Sequence, residues 1–374
     1  MSITSRPESL ITGNCDLEPL ISLKGFPVFI GCTNQPAESD IKADMNWSIC
    51  PQSGCIQLTE LLPEELVYAE YHSEAVGGVW QDHHDEFVDF CAKYNLTNVL
   101  EIGGSNGAIA KRYIDKVGSV GWTIVEPNPG FAGNDDIQVI KGFFDKNMLN
   151  NQYQHVVHSH VLEHTLYPQD FLKHINQFLQ KDGFHIFSVP HLFAYLKNKF
   201  SNTINFEHTF LLTEYLVDYI LEKNGFEIIE KRYFQEHSIF YATRKKQLPT
   251  ELKLINNKVY YKQLFIDLID FYKLEVQRLN ELIESIDAPV YLFGAHIFSQ
   301  FLIYFGLDES KVVGILDNSA QKKDKRLYGT NCIVASPHAI ENLPKVAVIV
   351  KAGQYQREVV EQLCKINSNT TIWE

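Results

Sequence analysis

The run Val99-Leu100-Glu101-Ile102-Gly103-Gly104-Ser105-Asn106-Gly107, followed by Ile124-Val125-Glu126-Pro127, constrains this chain more than any other feature. An apolar run ends in a glycine-rich turn, a helix-like segment follows, and a second apolar run ends in a carboxylate. This is the front half of a nucleoside-binding βαβ unit. Glycines let the backbone approach a ligand without a Cβ in the way, and Glu126, at the tip of the second strand, is placed to accept hydrogen bonds from both ribose hydroxyls. A dinucleotide prefers G-x-G-x-x-G, with its pyrophosphate on a helix N-terminus. Here an acidic residue, Glu101, opens the turn; it repels a pyrophosphate and suits a ligand carrying sulfonium and ammonium groups. The ligand expected from these residues is S-adenosylmethionine.

At 374 residues the chain is long enough for two or three domains. Hydrophobic residues at 45% and charged residues at 21% describe a soluble globular protein. The net charge of −13 argues against nucleic-acid or anionic-membrane partners, which need a basic face. No apolar run approaches the roughly 20 residues that span a bilayer. Met1-Ser2-Ile3-Thr4-Ser5-Arg6 lacks a signal-peptide core, so the cytoplasm is the expected compartment. Seven scattered cysteines do not form a secreted disulfide framework.

The pattern implies an α/β chain: a doubly wound, Rossmann-like sheet, a small irregular N-terminal module and a second, smaller Rossmann-like domain at the C-terminus. Residues 1–70 read as irregular and hold Cys15, Cys32, Cys50 and Cys55. Helical periodicity runs from Leu66 through Trp80 to Asn95. Residues 71–246 alternate β-like with helical runs, which implies a mainly parallel sheet covered on both faces. The last two runs, Phe226–Tyr233 and Ile239–Thr243, are separated by a short turn and are expected to pair as an antiparallel edge. Residues 247–286 read as a connector of one or two helices. Residues 287–374 restart the pattern, with Val290-Tyr291-Leu292-Phe293-Gly294-Ala295 and a strand tipped by Asp317.

In an open α/β sheet the ligand crosses the carboxyl ends of the strands. The segment His158-Ser159-His160-Val161-Leu162-Glu163-His164 therefore faces the site, with Ser159 and His160 as its floor. Phe144 and Asp145, in Phe143-Phe144-Asp145, border an adenine in one reading and belong to the core in the other. Asn205-Phe206-Glu207-His208 offers a general base, His208, whose basicity an adjacent carboxylate, Glu207, would raise; the alternative is a histidine that bridges a long loop. Of the neighbouring His83 and His84, a helix sends at most one into a pocket. The four N-terminal cysteines suit either a zinc ion or reduced thiols, although Cys50 and Cys55 are spaced too widely for a standard zinc knuckle. Neither a G-x-S-x-G elbow nor a P-loop is present.

These residues together resemble the bacterial nucleotide-sugar C-methyltransferase family, over nearly the whole length. The matching pieces are Gln57-Leu58, Tyr71-His72-Ser73, His83 or His84, Glu101-Ile102-Gly103 through Asn106-Gly107, and Glu126-Pro127. They continue with Glu163-His164, Val189-Pro190, Glu207-His208, and Gly294-Ala295 with Asp317. The resemblance implies an N-terminal zinc-binding module, a class I S-adenosylmethionine-dependent methyltransferase domain and a C-terminal Rossmann-like domain. It also implies a cytoplasmic enzyme of polysaccharide-precursor synthesis that takes a small-molecule or nucleotide-sugar acceptor, with the oligomeric state, monomer or oligomer, left open. Glu101, Gly103, Ser105, Asn106, Gly107, Glu126, Phe144, Asp145, Ser159 and His160 would hold the cofactor, and His208 with Glu207 would remove the acceptor's proton. The family's substrate loop reads Tyr-His-Glu-His, so only Glu207 and His208 carry over. Its first N-terminal cysteine is missing near Thr12, with Cys15 in place of the second. Transfer to oxygen or nitrogen is therefore expected alongside transfer to carbon. The competing enzyme class is a nicotinamide-dependent oxidoreductase or epimerase that uses one of the two glycine turns.

Overall fold

In the computed structural model, residues 3–67, 77–145, 152–246 and 253–374 are described. Tyr71, His72 and Ser73, which carry part of the family resemblance, lie outside them. The N-terminal segment is not irregular as expected. Strands β1 (Glu18–Pro27), β2 (Lys42–Ile49) and β3 (Ile56–Leu58) form an antiparallel sheet. The cause is visible in β2, where buried Ala43, Met45 and Trp47 alternate with Lys42, Asp44 and Asn46, the period-two pattern of a half-buried strand. The fourth strand of this sheet, Phe210–Leu211, comes from the middle of the chain and pairs with Ile56 and Gln57.

Helix α1 (Gly78–Ala92) leads into β4 (Val99–Ile102), α2 (Ala108–Val117), β5 (Trp122–Glu126), β6 (Ile137–Lys141) and β7 (Tyr153–Ser159). Then come α3 (Pro168–Phe178), β8 (Leu179–Pro190), β9 (Phe210–Leu211), α4 (Glu214–Lys223), β10 (Phe226–Phe234) and β11 (Ser238–Lys245). The seven-stranded sheet has the order β10-β11-β8-β7-β4-β5-β6. Strands β4 to β8 are parallel in it, while β11 runs antiparallel to both of its neighbours, as the short turn before it predicts. The chain leaves β4 in one direction toward β5 and returns on its other side at β7. The carboxyl ends of β4, β5 and β7 therefore open a crevice at a topological switch point.

The connector is one helix, α5 (Lys258–Ser285), whose buried Tyr261, Phe265, Leu268, Ile269, Tyr272, Val276 and Leu279 recur at three- and four-residue steps. The C-terminal domain follows as β12 (Val290–Phe293), α6 (Ile297–Tyr304), β13 (Gly314–Leu316), β14 (Val334–Ala335), β15 (Val346–Val350), α7 (Gln356–Ile366) and β16 (Thr370–Trp373). Its parallel sheet has the order β14-β13-β12-β15-β16. One hydrophobic cluster joins the N-terminal sheet, one face of the large sheet, α5 and the C-terminal sheet. Trp47 meets Phe265 with ring centroids 5.7 Å apart, and Cys32–Thr33 pairs with Arg326–Leu327. The three modules thus share a core.

Arg6 fastens the N-terminal module to the centre. It is 3% exposed, and its guanidinium donates to Leu58 O at 2.8 Å, Thr209 O at 2.6 Å and Leu166 O at 3.0 Å. Burial pushes the guanidinium down to about 10, and the carbonyls satisfy a charge that would otherwise be costly to bury. Arg6→Ala strands these acceptors, so it should lower unfolding free energy by about 3 kcal/mol or more in urea titrations. Arg6→Lys should recover only part of that loss, because an ammonium cannot reproduce the planar fork.

Candidate active site

The turn after β4 is built from backbone conformations that side chains resist. Gly103 and Gly107 have φ of +72° and +75°, and a Cβ on Gly103 would stand 2.5 Å from Val161 Cγ2. Ser105 also lies in the left-handed region, at φ 46°, and its N–H donates to Glu126 Oε2 at 3.0 Å. The other carboxylate oxygen of Glu126 accepts from Asn128 N at 2.9 Å. One acid thus joins the first turn to the second and keeps further lone pairs for the crevice. Glu101 behaves otherwise. It is 2% exposed, does not line the cavity and accepts from Trp122 Nε1 at 2.7 Å. Burial pushes its carboxyl up to about 7. The cation-attracting role expected of it is therefore replaced by a structural one beneath the turn.

The C-terminal domain repeats the Glu126 device. Asp317 accepts from Ala295 N at 2.9 Å and Ser319 N at 2.8 Å. Lys322 Nζ adds an ion pair at 3.1 Å. This second turn is closed by its own side chains, and the residues after it, His296 and Ile297, line the crevice at the ends of β4, β5 and β7 instead.

A cavity of about 740 Å³ runs over the ends of β4, β5 and β7. Glu126, Ser105, Phe143 and Phe144 line it, as do Glu163, His164, Asn205, Glu207, His208, His160 and Val161. The C-terminal domain closes it with His296, Gln354 and Tyr355. Phe144 packs edge-on against Phe171 and Phe178, with centroids 5.7 and 5.6 Å away, so it serves both core and cavity. Asn106, Gly107, Asp145 and Ser159 lie outside the lining. Gly107 and Asn106 instead shape the start of α2, where Asn106 Oδ1 accepts from Ala108 N at 3.1 Å.

The acidic partner of His208 differs from the one expected. Glu207 Oε2 lies 3.7 Å from His164 Nδ1. The carboxylate that acts on His208 is Glu163, 3% exposed, which opposes the effect of burial in lowering the imidazole's proton affinity. Glu163 itself is pushed up to about 7 by burial. Nδ1 of His208 lies 3.4 Å from both Thr203 O and Asn205 Nδ2; in the tautomer whose Nδ1–H donates to Thr203 O, Nε2 is the basic nitrogen. The Arg6 contact to Thr209, the next residue, holds this loop in place.

A second histidine group lies deeper. His83 donates or accepts with Ser188 Oγ at 2.9 Å, His160 with Ser238 Oγ at 2.8 Å, and His237 with Tyr355 Oη at 3.3 Å. Burial holds His160 down to about 3 and His237 down to about 2, so these rings are neutral. His83 is fully buried and His84 is not, in keeping with one inward ring. The four N-terminal cysteines do not gather around an ion among the described residues. Cys50 and Cys55 join through backbone at 2.9 Å, Cys32 Sγ lies 3.7 Å from Ala295 O, and Cys15 is exposed. The buried thiols pack in the sheet core, because its hydrophobic alternation needs their volume.

Glu163 and His164 were legible as an acid–histidine pair after β7, yet no rule of spacing joined them to His208. Tyr355 and His296 gave no local signal, since domain docking brings them in.

Residues 71–231 match the family described as a methyltransferase domain. No curated protein matches the sequence closely enough to count as a relative. Among solved structures, the complex of the Haloferax volcanii Trm112 methyltransferase activator with a methyltransferase is 13% identical, with a TM-score of 0.39, over 45% of this chain and 92% of that one. The mitomycin 7-O-methyltransferase MmcR is 16% identical, with a TM-score of 0.37, over 44% of this chain and 54% of that one. Magnesium protoporphyrin IX methyltransferase from Synechocystis PCC 6803, with bound SAH, is 17% identical, with a TM-score of 0.36, over 47% of this chain and 91% of that one. The chain carries a methyltransferase domain with the class I Rossmann-like fold. Among the described residues no helix is long and apolar enough to cross a membrane.

Glu126→Ala removes the acceptor of two backbone N–H groups as well as the ribose partner. Calorimetry should show S-adenosylmethionine binding weakened about 10-fold or more. Folding favours the protonated form of Glu101, whose ordinary value is 4.5. Its contribution to stability is therefore full below 4.5 and lost as pH rises through about 7. Relative to Glu101→Gln, which keeps an acceptor for Trp122, the wild type should lose up to about 3 kcal/mol across this window in urea titrations.

Proposed function

We propose that this S-adenosylmethionine-dependent methyltransferase acts on a nucleotide-activated sugar or a surface-polysaccharide precursor, with His208 as general base. The observation that carries the reading is that the Glu126 turn and His208 line one and the same cavity. Cofactor and acceptor sites of a methyl transfer must be continuous, because the acceptor atom approaches the methyl carbon in line with the departing sulfur. The volume lies within the range of about 300–1,000 Å³ usual for ligand sites.

The glycine turn fits the cofactor, since Gly103 and Ser105 line the cavity beside Glu126 with no Cβ on Gly103, where one would collide with Val161. When bound there, S-adenosylmethionine supplies an electrophilic methyl group. Glu126 holds the ribose hydroxyls, and Phe143 and Phe144 border the base. Asn202, Asn205, Asp170 and Gln354 also line the cavity and offer polar groups suited to a polyhydroxylated ring. Among the described residues the lining contains no lysine or arginine, a surface better matched to a neutral sugar ring than to a diphosphate. Nε2 of His208 takes the proton from the acceptor's O–H, N–H or acidic C–H as the new bond to carbon forms. His296 and Tyr355 of the C-terminal domain keep water from the reacting atoms.

A panel of nucleotide-linked keto- and hydroxysugars incubated with the cofactor should yield a product one methylene heavier by mass spectrometry. Absence of any such product across the panel, with the cofactor demonstrably bound, contradicts the acceptor assignment. His208→Ala should keep cofactor affinity within about 2-fold and lose about 100-fold or more in turnover, the usual contribution of a positioned base.

A further inference from the structure

We propose that Glu163, His164 and His208 form a binding site for a divalent transition-metal ion of the zinc class, and that its occupancy silences methyl transfer. One ring nitrogen of each histidine and one oxygen of Glu163 lie within 4.8 Å of one another. All three residues line the cavity, so a fourth coordination position faces open space. Two histidines and a glutamate with an open position form a ligand set that zinc accepts.

Three further observations point to an ion. The His164 and His208 ring centroids are 4.9 Å apart, with planes at 57°. Two imidazoles that share a zinc ion at about 2.0–2.1 Å from each nitrogen, at a tetrahedral angle, place their centroids about 5 Å apart. Outer partners of the kind that orient metal-bound imidazoles lie near both rings: Nδ1 of His164 is 3.7 Å from Glu207 Oε2, and Nδ1 of His208 is 3.4 Å from Thr203 O and from Asn205 Nδ2. Finally, Glu163 is 3% exposed, and neither carboxylate oxygen accepts a hydrogen bond among the described residues. His160 Nδ1 lies 3.1 Å from Oε1 without completing one. A buried carboxylate so placed keeps its oxygen lone pairs available to an ion.

The inhibitory half of the proposal rests on the reading of His208 as base, since an ion on Nε2 occupies the lone pair that would receive the acceptor's proton. The binding half does not. The other histidine group, His83, His160 and His237, competes for the same assignment. There, however, serine hydroxyls already engage a nitrogen of each ring.

Full-length protein stripped with a chelator should bind one equivalent of Co²⁺, with the visible absorption of a tetrahedral site, and one of Zn²⁺ by calorimetry. Zn²⁺ should raise the melting temperature of the wild type. Glu163→Gln and His164→Ala should each weaken binding at least 10-fold while still melting cooperatively, and His237→Ala should bind as the wild type does. No binding to the wild type overturns the proposal. Binding lost in His237→Ala but kept in His164→Ala overturns it too, by moving the ion to the deeper group. In the turnover assay, Zn²⁺ should inhibit in step with site occupancy, and chelator should restore the rate; full activity with the site saturated overturns the inhibitory half. A chain that binds the ion but methylates no acceptor refutes the functional reading and leaves the metal site standing.

Discussion

The buried guanidinium of Arg6 is the interaction on which the acceptor side of the molecule depends. It ties carbonyls at Leu58, Leu166 and Thr209, in three stretches far apart in the chain, to one planar group. Thr209 follows His208 directly, and the next two residues enter the N-terminal sheet as its fourth strand. The position of His208 is thus fixed by a strand pairing and by a cation that both belong to the N-terminal module. A loop of this length, held only by its own residues, would lose too much entropy on ordering to keep an imidazole in place. The module that looked like a metal-binding appendage in the sequence is the frame for the acceptor loop.

The cofactor side is held by a different principle. There a local device suffices: glycine backbone at positive φ, a tip carboxylate and two backbone N–H groups. The C-terminal domain uses the same device at Asp317, but Lys322 has closed it. One architecture therefore gives an open nucleoside crevice in one sheet and a self-satisfied turn in the other. That contrast leaves the oxidoreductase reading of the second turn without a vacancy to fill, and it gives the C-terminal domain another task, lining the cavity through His296, Gln354 and Tyr355.

Charge is distributed with the same economy. Acids and histidines both line the cavity, and burial lowers the proton affinity of His160 and His208. Neutral imidazoles accept protons or metal ions, whereas protonated ones would do neither. Glu101 and Glu163, both pushed up to about 7, lie in different surroundings. Glu101 has an indole N–H to bond, while Glu163 faces the two histidines in the cavity.

The sequence by itself determined the methyltransferase sheet, the glycine turn and Glu126, because each is written in consecutive residues whose periodicity and stereochemistry act locally. It also contained the alternation of β2, which composition and turn residues obscured. Only the tertiary structure decided that Glu163 rather than Glu207 acts on His208, that Glu101 is buried, and that Cys32, Cys50 and Cys55 sit in the hydrophobic core while Cys15 is exposed. Those outcomes depend on which side chains face one another after distant strands pair. A residue's neighbours along the chain carry no record of that distance.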